Sequence, residues 1–168
     1  MITYDNTDTI SFAKIHDDAI IPSRREEDGC IDVYAAFDAP LMVLRPHEAT
    51  LVPTGLISAW NPKYRLAARE RGSASKTNLG LKCGQIDSGY RGEWFLCVRN
   101  DNDIPVVITK GIDENIFDKT VIHIPYKKAL CQFAVEEVPQ VKIIEETQEK
   151  VRSYSSERGT GNRGSSNK

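Results

Sequence analysis

Short runs of apolar residues, many of them β-branched or aromatic, recur along most of the chain and are separated by polar turns with Gly and Pro. Such β-branched and aromatic residues favour strands. No segment between these runs has convincing helical periodicity. The predicted strands are residues 10–15, 31–35, 49–53, 63–68, 85–86, 94–99, 106–109, 120–124 and 130–135. Many short strands at this spacing are typical of a β sandwich, jelly roll or barrel.

This pattern weakens after Val138. Residues 141–144 still have the composition of a strand, whereas residues 153–168 are largely Ser, Gly, Asn and Arg. We therefore predict one β domain over residues 1–150 and a flexible glycine-rich arm over residues 151–168. Within the domain, residues 113–119 could form one helical turn in a long connection.

Composition excludes several classes of partner. A chain of 168 residues suits a single domain with a sizeable core. The net charge of -2, with both signs interspersed, argues against binding of nucleic acid through its phosphates. No apolar run approaches the roughly 20 residues of a membrane span, and no basic region precedes an apolar one at the N-terminus. We therefore expect a cytoplasmic protein with no nucleic-acid or membrane partner.

The cysteine spacing favours free thiols. Cys30, Cys83, Cys97 and Cys131 are far apart in the sequence and form no Cys-x-x-Cys pair. Zinc sites and disulfide frameworks usually show closer or paired spacing. We therefore expect reduced, largely buried cysteines.

The most informative stretch is residues 84–93, which places a carboxylate and an aromatic ring three residues apart around a turn. Asp87 and Tyr90 flank the turn pair Ser88–Gly89, and apolar residues lie on both sides. This arrangement predicts a β-hairpin with Asp87 and Tyr90 at its tip, where both can face one small ligand. The alternative is an exposed turn with a solubilising Asp.

Four further segments accompany this stretch in chain order. Residues 28–35 read Asp-Gly-Cys-Ile-Asp-Val-Tyr-Ala, residues 71–73 read Arg-Gly-Ser, and residues 130–133 read Leu-Cys-Gln-Phe. The tail carries Arg-Gly-Thr-Gly and then Gly-Ser-Ser, and such a combination of glycines, hydroxyls and a cation can surround phosphates. Together, the five segments resemble the motifs of the trimeric dUTP diphosphatase (dUTPase) family, over about residues 10–166, with an altered fifth motif.

The resemblance implies a jelly roll of the dUTPase type that assembles as a homotrimer, with active sites at the subunit boundaries. The implied reaction converts dUTP and water into dUMP and pyrophosphate in the presence of Mg²⁺. A C-terminal arm would close over the bound nucleotide and exclude water.

Within the third motif, the resemblance implies three roles. Asp87 matches the carboxylate that activates the water attacking the α-phosphorus. Tyr90 matches the ring that packs under the deoxyribose and leaves no room for a 2′-hydroxyl. Backbone groups of Gly84, Gln85 and Phe95 would read the uracil.

The remaining motifs are assigned to the phosphates and the metal. Mg²⁺ would be held by the substrate phosphates, with Asp32 contacting it through water; the alternative role of Asp32 is to brace its strand with hydrogen bonds. The residues matched to the phosphate chain are Arg71, Gly72, Ser73, Gln132, Arg158, Gly159, Thr160, Gly161, Ser165 and Ser166.

Two motifs depart from the family pattern. In the second motif, either Ser73 or Ser75 would be the phosphate donor, with Ser73 preferred, and a bracing role for Arg71 also fits. In the fifth motif, Arg163 stands where the family has a Phe that stacks on uracil. We expect Phe95, or else Trp94, to cover the uracil instead. The alternatives are that the Arg163 guanidinium stacks on the base or that both aromatics belong to the core.

Other features lead to fewer conclusions. The connection between residues 100 and 128 is long for the family and is either a functional loop or a harmless insertion. The fold would also suit a dCTP deaminase, but residues 94–98 lack the glutamate that this activity needs. A nucleotide-sensing protein that binds a regulatory partner is the non-enzymatic alternative. His16, His47 and His123 lie outside the motifs, and Glu136 and Glu137 are expected on a solvated face.

Overall fold

The computed structural model describes residues 8–111 and 120–161. Strands make up nearly all of the regular structure in these ranges, with one 3₁₀ helix (Gly72–Lys76) and one short α-helix, α1 (Gln148–Arg152). The strands are β1 (Ile10–Lys14), β2 (Cys30–Val33), β3 (Leu41–Leu44), β4 (Ala49–Pro53), β5 (Leu56–Trp60), β6 (Tyr64–Arg69), β7 (Leu79–Leu81), β8 (Gln85–Ile86), β9 (Phe95–Asn100), β10 (Val106–Thr109), β11 (Ile122–Pro125) and β12 (Cys131–Glu137).

The strands form four sheets, with the strand orders β1–β5, β11–β10–β3, β2–β12–β6–β8 and β4–β9–β7. All pairings are antiparallel except that of β10 with β11. Neighbours in a sheet are mostly distant in sequence, so the chain crosses repeatedly between sheets. Inward-facing residues of every sheet contribute to one main hydrophobic core.

Trp94 lies at the centre of this core. Its ring contacts Phe12, Trp60 and Phe133 at centroid distances of 5.2, 6.3 and 5.4 Å. Its indole N–H donates to the Ser58 hydroxyl at 2.7 Å, which satisfies a polar group that is costly to bury alone. Trp94 is therefore a core residue, and its side chain does not face the surface.

Each predicted strand segment overlaps an observed strand, and the bounds of β4, β8 and β10 match the prediction. The pattern did not predict β3, β5 and β7. In β5, a serine occupies a buried position because it accepts the Trp94 hydrogen bond, so the strand lacks a clean apolar alternation. Residues 141–144 form no strand. The helical turn expected at residues 113–119 lies outside the described residues.

The chain divides into a first unit that ends at Val138 and a second that begins at Pro139. In the second unit, the Thr147 hydroxyl caps α1 by accepting from the Lys150 N–H at 3.2 Å. Every residue of this helix is exposed. The boundary after residue 150 and the flexibility of the arm stay predictions from sequence.

All four cysteines are free, with Cys131 buried and the other three partly buried. Burial raises the pKa of the Cys131 and Cys83 thiols, so both favour the protonated form at neutral pH. In the ranges that the structure describes, no helix is long and apolar enough to cross a membrane.

Candidate active site

The predicted hairpin is paired only at its base. There β7 pairs with β9, and the Lys82 N–H donates to the Cys97 carbonyl at 2.8 Å. Beyond that point the first strand turns to another sheet, because the Ala68 N–H donates to the Gly84 carbonyl at 2.9 Å and β8 pairs with β6. The prediction that β8 and β9 pair across the turn is therefore wrong. We call residues 83–96 the splayed hairpin.

Because β8 separates from β9 and pairs with β6, some of its backbone groups point away from β6. Antiparallel pairs alternate between hydrogen-bonded and non-bonded types. Since Ala68 and Gly84 are a bonded pair, the next pair, Ala67 and Gln85, is non-bonded. The Gln85 N–H and carbonyl therefore point outward from the edge of the sheet, whereas the Gly84 carbonyl is already used.

The same alternation applies to Phe95 on the other side of the splayed hairpin. The Thr54 N–H donates to the Trp94 carbonyl at 3.2 Å, which makes the adjacent pair, Pro53 and Phe95, non-bonded. The Phe95 backbone groups thus point away from β4, toward the side on which β7 has already ended at Leu81. Edge groups of Gln85 and Phe95 are left for a ligand.

A cleft of about 280 Å³ lies in the splayed hairpin. Its lining residues are Gln85, Ile86, Asp87, Tyr90, Glu93, Trp94 and Phe95. The Asp87 carboxylate accepts from the Gln85 side-chain amide at 2.8 Å, and the Tyr90 N–H donates to the Asp87 carbonyl at 3.0 Å to close the turn. The structure thus brings Asp87 and Tyr90 together, as their spacing predicts.

The Tyr90 ring is held in place by its own loop. Its hydroxyl donates to the Glu93 carbonyl at 3.0 Å, and a Cβ at Gly92 would lie only 2.4 Å from that hydroxyl oxygen. Glycine at this position therefore permits the ring to lie against the backbone. The Glu93 carboxylate accepts from the Gly55 N–H at 2.9 Å and ties the loop to the turn between β4 and β5. Sequence reasoning assigned Glu93 no role, and nothing in the sequence pointed to its distant partner.

Arg71 and Asp32 form a two-point ion pair at a different place in the first unit. Arg71 donates from Nε to one Asp32 oxygen and from Nη2 to the other, both at 2.9 Å. Its Nη1 donates to the Ala129 carbonyl at 3.3 Å. The side chains are only 28% and 29% exposed. This geometry fits the alternative roles given above, in which Asp32 braces its strand and Arg71 acts as a structural brace.

Gln132 lies beside this pair. It is opposite Asp32 on β2 and Arg69 on β6, and its side-chain amide donates to the Glu70 carbonyl at 2.9 Å. Asp32, Arg71 and Gln132 share a cleft of about 410 Å³. The first, second and fourth motifs therefore meet in one chain.

The second-motif serines face different sides of the 3₁₀ helix. Ser75 lines a cleft of about 460 Å³ together with Arg71 and Gly72, and its hydroxyl donates to the Gly72 carbonyl at 2.9 Å. Ser73 instead lines a small pocket beside Ala129. Only Ser75 thus shares a cleft with the other two second-motif residues.

The arm residues belong to the second unit. The Gly161 N–H donates to the Arg158 carbonyl at 3.1 Å, and the Gly159 N–H donates to the Ser156 hydroxyl at 3.1 Å. Gly159 has a φ of 51°, a conformation that favours glycine. Thr160 lies within this turn. Arg163, Ser165 and Ser166 lie outside the described residues.

No cluster of three or more His, Cys, Asp or Glu side chains suited to a metal ion occurs in residues 8–111 and 120–161. A metal at the site would therefore need ligands from elsewhere, such as a bound phosphate chain. Asp32 retains a second lone pair on each oxygen beside those that Arg71 uses, so its carboxylate can still accept from water.

Comparisons with known proteins converge on one family. The chain is 33% identical over 147 residues to the deoxyuridine 5′-triphosphate nucleotidohydrolase of Gloeobacter violaceus, covering 83% of this chain and 82% of that protein. The enzyme of the same name from Mycolicibacterium gilvum is 33% identical over 113 residues, 61% of this chain and 68% of the relative. No protein-family model matches the chain.

Solved structures show the same fold. The Staphylococcus bacteriophage 80alpha dUTPase with dUPNHPP has a TM-score of 0.67 at 25% identity, covering 95% of this chain and 99% of that one. The phage phi11 dUTPase, known for a species-specific insert, has a TM-score of 0.62 at 22% identity, covering 83% and 98%. A mutant of the phi11 enzyme coordinates a structural Mg(II) ion. The predicted jelly-roll fold is confirmed.

Proposed function

Because the chain belongs to the deoxyuridine 5′-triphosphate nucleotidohydrolase (dUTPase) family, we propose that it hydrolyses dUTP to dUMP and pyrophosphate at the splayed hairpin. One observation carries the assignment of the site. A single cleft contains the Asp87 carboxylate, the Tyr90 ring and the outward-facing edge of Gln85.

Uracil recognition is assigned to the two open strand edges. The base presents one N–H donor between two carbonyl acceptors, and a strand edge alternates donors and acceptors in a similar way. Gln85 and Phe95 supply such groups from opposite sides of the cleft. Gly84 stays a prediction from sequence for this role, since its carbonyl accepts from Ala68 and both backbone groups of a bonded pair face the partner strand.

Phe95 is assigned as the cover of the uracil. Its ring is 42% exposed and lines the cleft, whereas the Trp94 ring is fully buried in the core. A face of an aromatic ring stacks on any base, and the burial of both surfaces adds affinity. Arg163 stays an alternative that lies outside the described residues.

Tyr90 is assigned as the sugar gate. The hydrogen bond to the Glu93 carbonyl and the close approach to Gly92 hold the ring against the loop. A ring fixed in this way presents a flat apolar surface to the sugar and leaves no space for a 2′-hydroxyl. Ribonucleotides would be rejected by shape, without a hydrogen bond that would favour the wrong sugar.

Asp87 is assigned as the base. It is exposed in the cleft, and the Gln85 amide fixes the direction of its carboxylate by donating to Oδ1. The other oxygen can accept a proton from water, which then attacks the α-phosphorus while pyrophosphate leaves. Phosphoryl transfer depends mainly on such positioning and on electrostatic stabilisation.

The phosphate chain is assigned to the second, fourth and fifth motifs. Arg71 is braced by Asp32, and so we infer that it fixes the 3₁₀ helix whose residues Gly72 and Ser75 line the adjacent cleft. Ser73 stays the sequence-based alternative to Ser75. The other predicted phosphate contacts are Gln132, Arg158, Gly159, Thr160, Gly161, Ser165 and Ser166.

Mg²⁺ is the proposed cofactor, held by the substrate phosphates. Asp32 fits a contact through water, because its carboxylate opens into the cleft shared with Gln132 and keeps lone pairs beside those bound to Arg71. The ion would neutralise phosphate charge and help to orient the chain for in-line attack.

We propose a homotrimer in which neighbouring copies complete each site. Arg71 follows β6, four residues beyond the Ala67 position that faces Gln85, or roughly 13 Å at the usual strand rise. In the proposed trimer, a neighbouring copy would bring its phosphate-binding motifs to this splayed hairpin. Exposed Leu41 and Leu51 offer apolar surface for such contacts. The cytoplasmic location stays a prediction.

Pyrophosphate release from dUTP, dCTP, dTTP and UTP with Mg²⁺ tests the proposed function. We expect rapid release from dUTP and little from the other three nucleotides. Absence of release from dUTP would overturn the proposal. Conversion of dCTP to dUTP with release of ammonia would assign the site to the deaminase alternative.

A second candidate function is regulation through a partner protein. It is favoured by the 80alpha relative, since phage dUTPases control transfer of virulence genes by a G protein-like mechanism. Catalysis and regulation are compatible in one chain. A partner that binds this protein differently with and without a non-hydrolysable dUTP analogue would support the regulatory role, and equal binding in both states would contradict nucleotide sensing.

A further inference from the structure

A row of charged side chains crosses β12 and β6 and ends at Asp87, the residue that follows β8. Glu136 on β12 lies opposite Arg65 on β6. Leu66 on β6 lies opposite Ile86, the last residue of β8, so the register extended by one residue brings Arg65 opposite Asp87. Directly opposed residues have Cβ atoms about 5 Å apart.

Arg65 and Asp87 also project from the same face of the sheet. The Gln85 amide reaches the Asp87 carboxylate, which shows that these two side chains share a face. Ala67 is opposite Gln85, and Arg65 is two residues from Ala67 on the same strand, so it has the same orientation. The guanidinium of Arg65 and the proposed catalytic carboxylate, one residue beyond β8, are thus neighbours.

Arg65 is nevertheless directed to its other neighbour. Its Nε donates to Glu136 Oε2 at 3.0 Å, and its Nη2 lies 2.9 Å from the same oxygen. Arg69 approaches the second Glu136 oxygen at 2.5 Å. The Glu136 side chain is 28% exposed, and that of Glu137 is 74% exposed. The Glu136 carboxylate lies between two arginines.

We propose that Glu136 is a positioning residue that holds Arg65 away from Asp87 and leaves Asp87 to the neutral amide of Gln85. This inference rests on the proposed role of Asp87 as the base. A guanidinium can bind both oxygens of a carboxylate and stabilise its charged form, which weakens that carboxylate as a proton acceptor. A single amide donor orients the carboxylate and leaves its second oxygen to water.

Release of Arg65 tests the proposal. We expect Glu136→Met, which has no acceptor, to lower kcat for dUTP about tenfold, because the freed guanidinium then binds Asp87. The KM for dUTP should change less than about twofold, since no group assigned to nucleotide binding is altered. The double variant Glu136→Met/Arg65→Met lacks the guanidinium that Glu136→Met releases. Its kcat should therefore return to within about threefold of the wild-type value.

Arg69→Met is the matched control. It removes the other arginine from Glu136 but leaves Arg65 bound, so kcat should stay at the wild-type value. If Glu136→Met acted only by weakening the strand, Arg69→Met would lower kcat similarly. Adding Arg65→Met to Glu136→Met would then not restore kcat. Thermal unfolding of the three variants and the wild type identifies any loss of folded protein.

Two outcomes overturn the inference while the proposed function stands: wild-type kcat in Glu136→Met, or a double variant as slow as Glu136→Met. An inactive wild-type protein would instead overturn the proposed function.

A crystal structure of Glu136→Met gives a readout that needs no turnover. The proposal predicts Arg65 within about 2.9 Å of the Asp87 carboxylate, and Arg65 directed into solvent would contradict it.

Discussion

The splayed hairpin and the Arg71 region both carry motif residues, but their polar groups are used differently. Around Arg71, both Asp32 oxygens and three guanidinium nitrogens are bonded within the chain. In the splayed hairpin, Asp87 is exposed and receives one amide, and the edge groups of Gln85 and Phe95 point away from their strand partners. One region is braced, whereas the other is open to a ligand.

This difference separates two kinds of motif residue. A side chain in the open region makes few internal contacts, so we expect its substitution mainly to alter catalysis or specificity. A side chain in the braced region holds other groups, so we expect its substitution to lower stability. The sequence motifs of the two regions are equally short and do not distinguish them. The distinction follows from the internal contacts of the side chains.

The largest expected effect is that of Asp87→Asn in the open region. The amide keeps the shape of the side chain but cannot accept a proton, so kcat for dUTP should fall by about 10² to 10⁴. Affinity for a non-hydrolysable dUTP analogue and the thermal midpoint should stay near their wild-type values. Retention of wild-type turnover would show that Asp87 is not the base.

In the braced region, Asp32→Asn should lower stability. Arg71 would lose its charged two-point partner, and we expect the free energy of unfolding to fall by about 2 kcal/mol. Urea unfolding measures this change. Asp28→Asn is the control, since its ion pair with Arg25 is exposed and should contribute little. Equal stability of the Asp32 variant and the wild type would remove the distinction between the two regions.

Gly92→Ala tests how the Tyr90 ring is held. The new Cβ would lie 2.4 Å from the ring hydroxyl, so the ring must move and discrimination between dUTP and UTP should fall about tenfold. Gly89→Ala is a matched control in the same turn, because its Cβ would have no neighbour within 4 Å. The ratio of kcat/KM for the two nucleotides is the measurement. A similar change in both variants would contradict the steric account.

The smallest expected effect is that of Phe95→Ala. Loss of the stacking surface should raise the KM for dUTP about fivefold, corresponding to roughly 1 kcal/mol. Val135→Ala removes an equally exposed apolar side chain, 41% against 42%, from a strand outside the cleft and should leave KM unchanged. An unchanged KM for Phe95→Ala would exclude Phe95 as the cover of the uracil.

Sequence alone predicted much of the fold and the proximity of Asp87 and Tyr90. Short β-rich runs located most strands, and the spacing of Asp87 and Tyr90 correctly placed them in one cleft. A β-rich run indicates a strand, but it does not identify the neighbouring strand. The two-residue strand β8 could therefore not be assigned to β6. The buried Ser58 has the same explanation, because its partner Trp94 is distant in sequence.

The central claim is that water activated by Asp87 attacks the α-phosphorus of dUTP. Turnover in ¹⁸O-labelled water, followed by mass spectrometry of both products, tests it most directly. The account predicts one ¹⁸O atom in the phosphate of dUMP and none in pyrophosphate, with formation of labelled dUMP reduced in Asp87→Asn by the same factor as kcat. Label in pyrophosphate would show attack at the β-phosphorus and contradict the account.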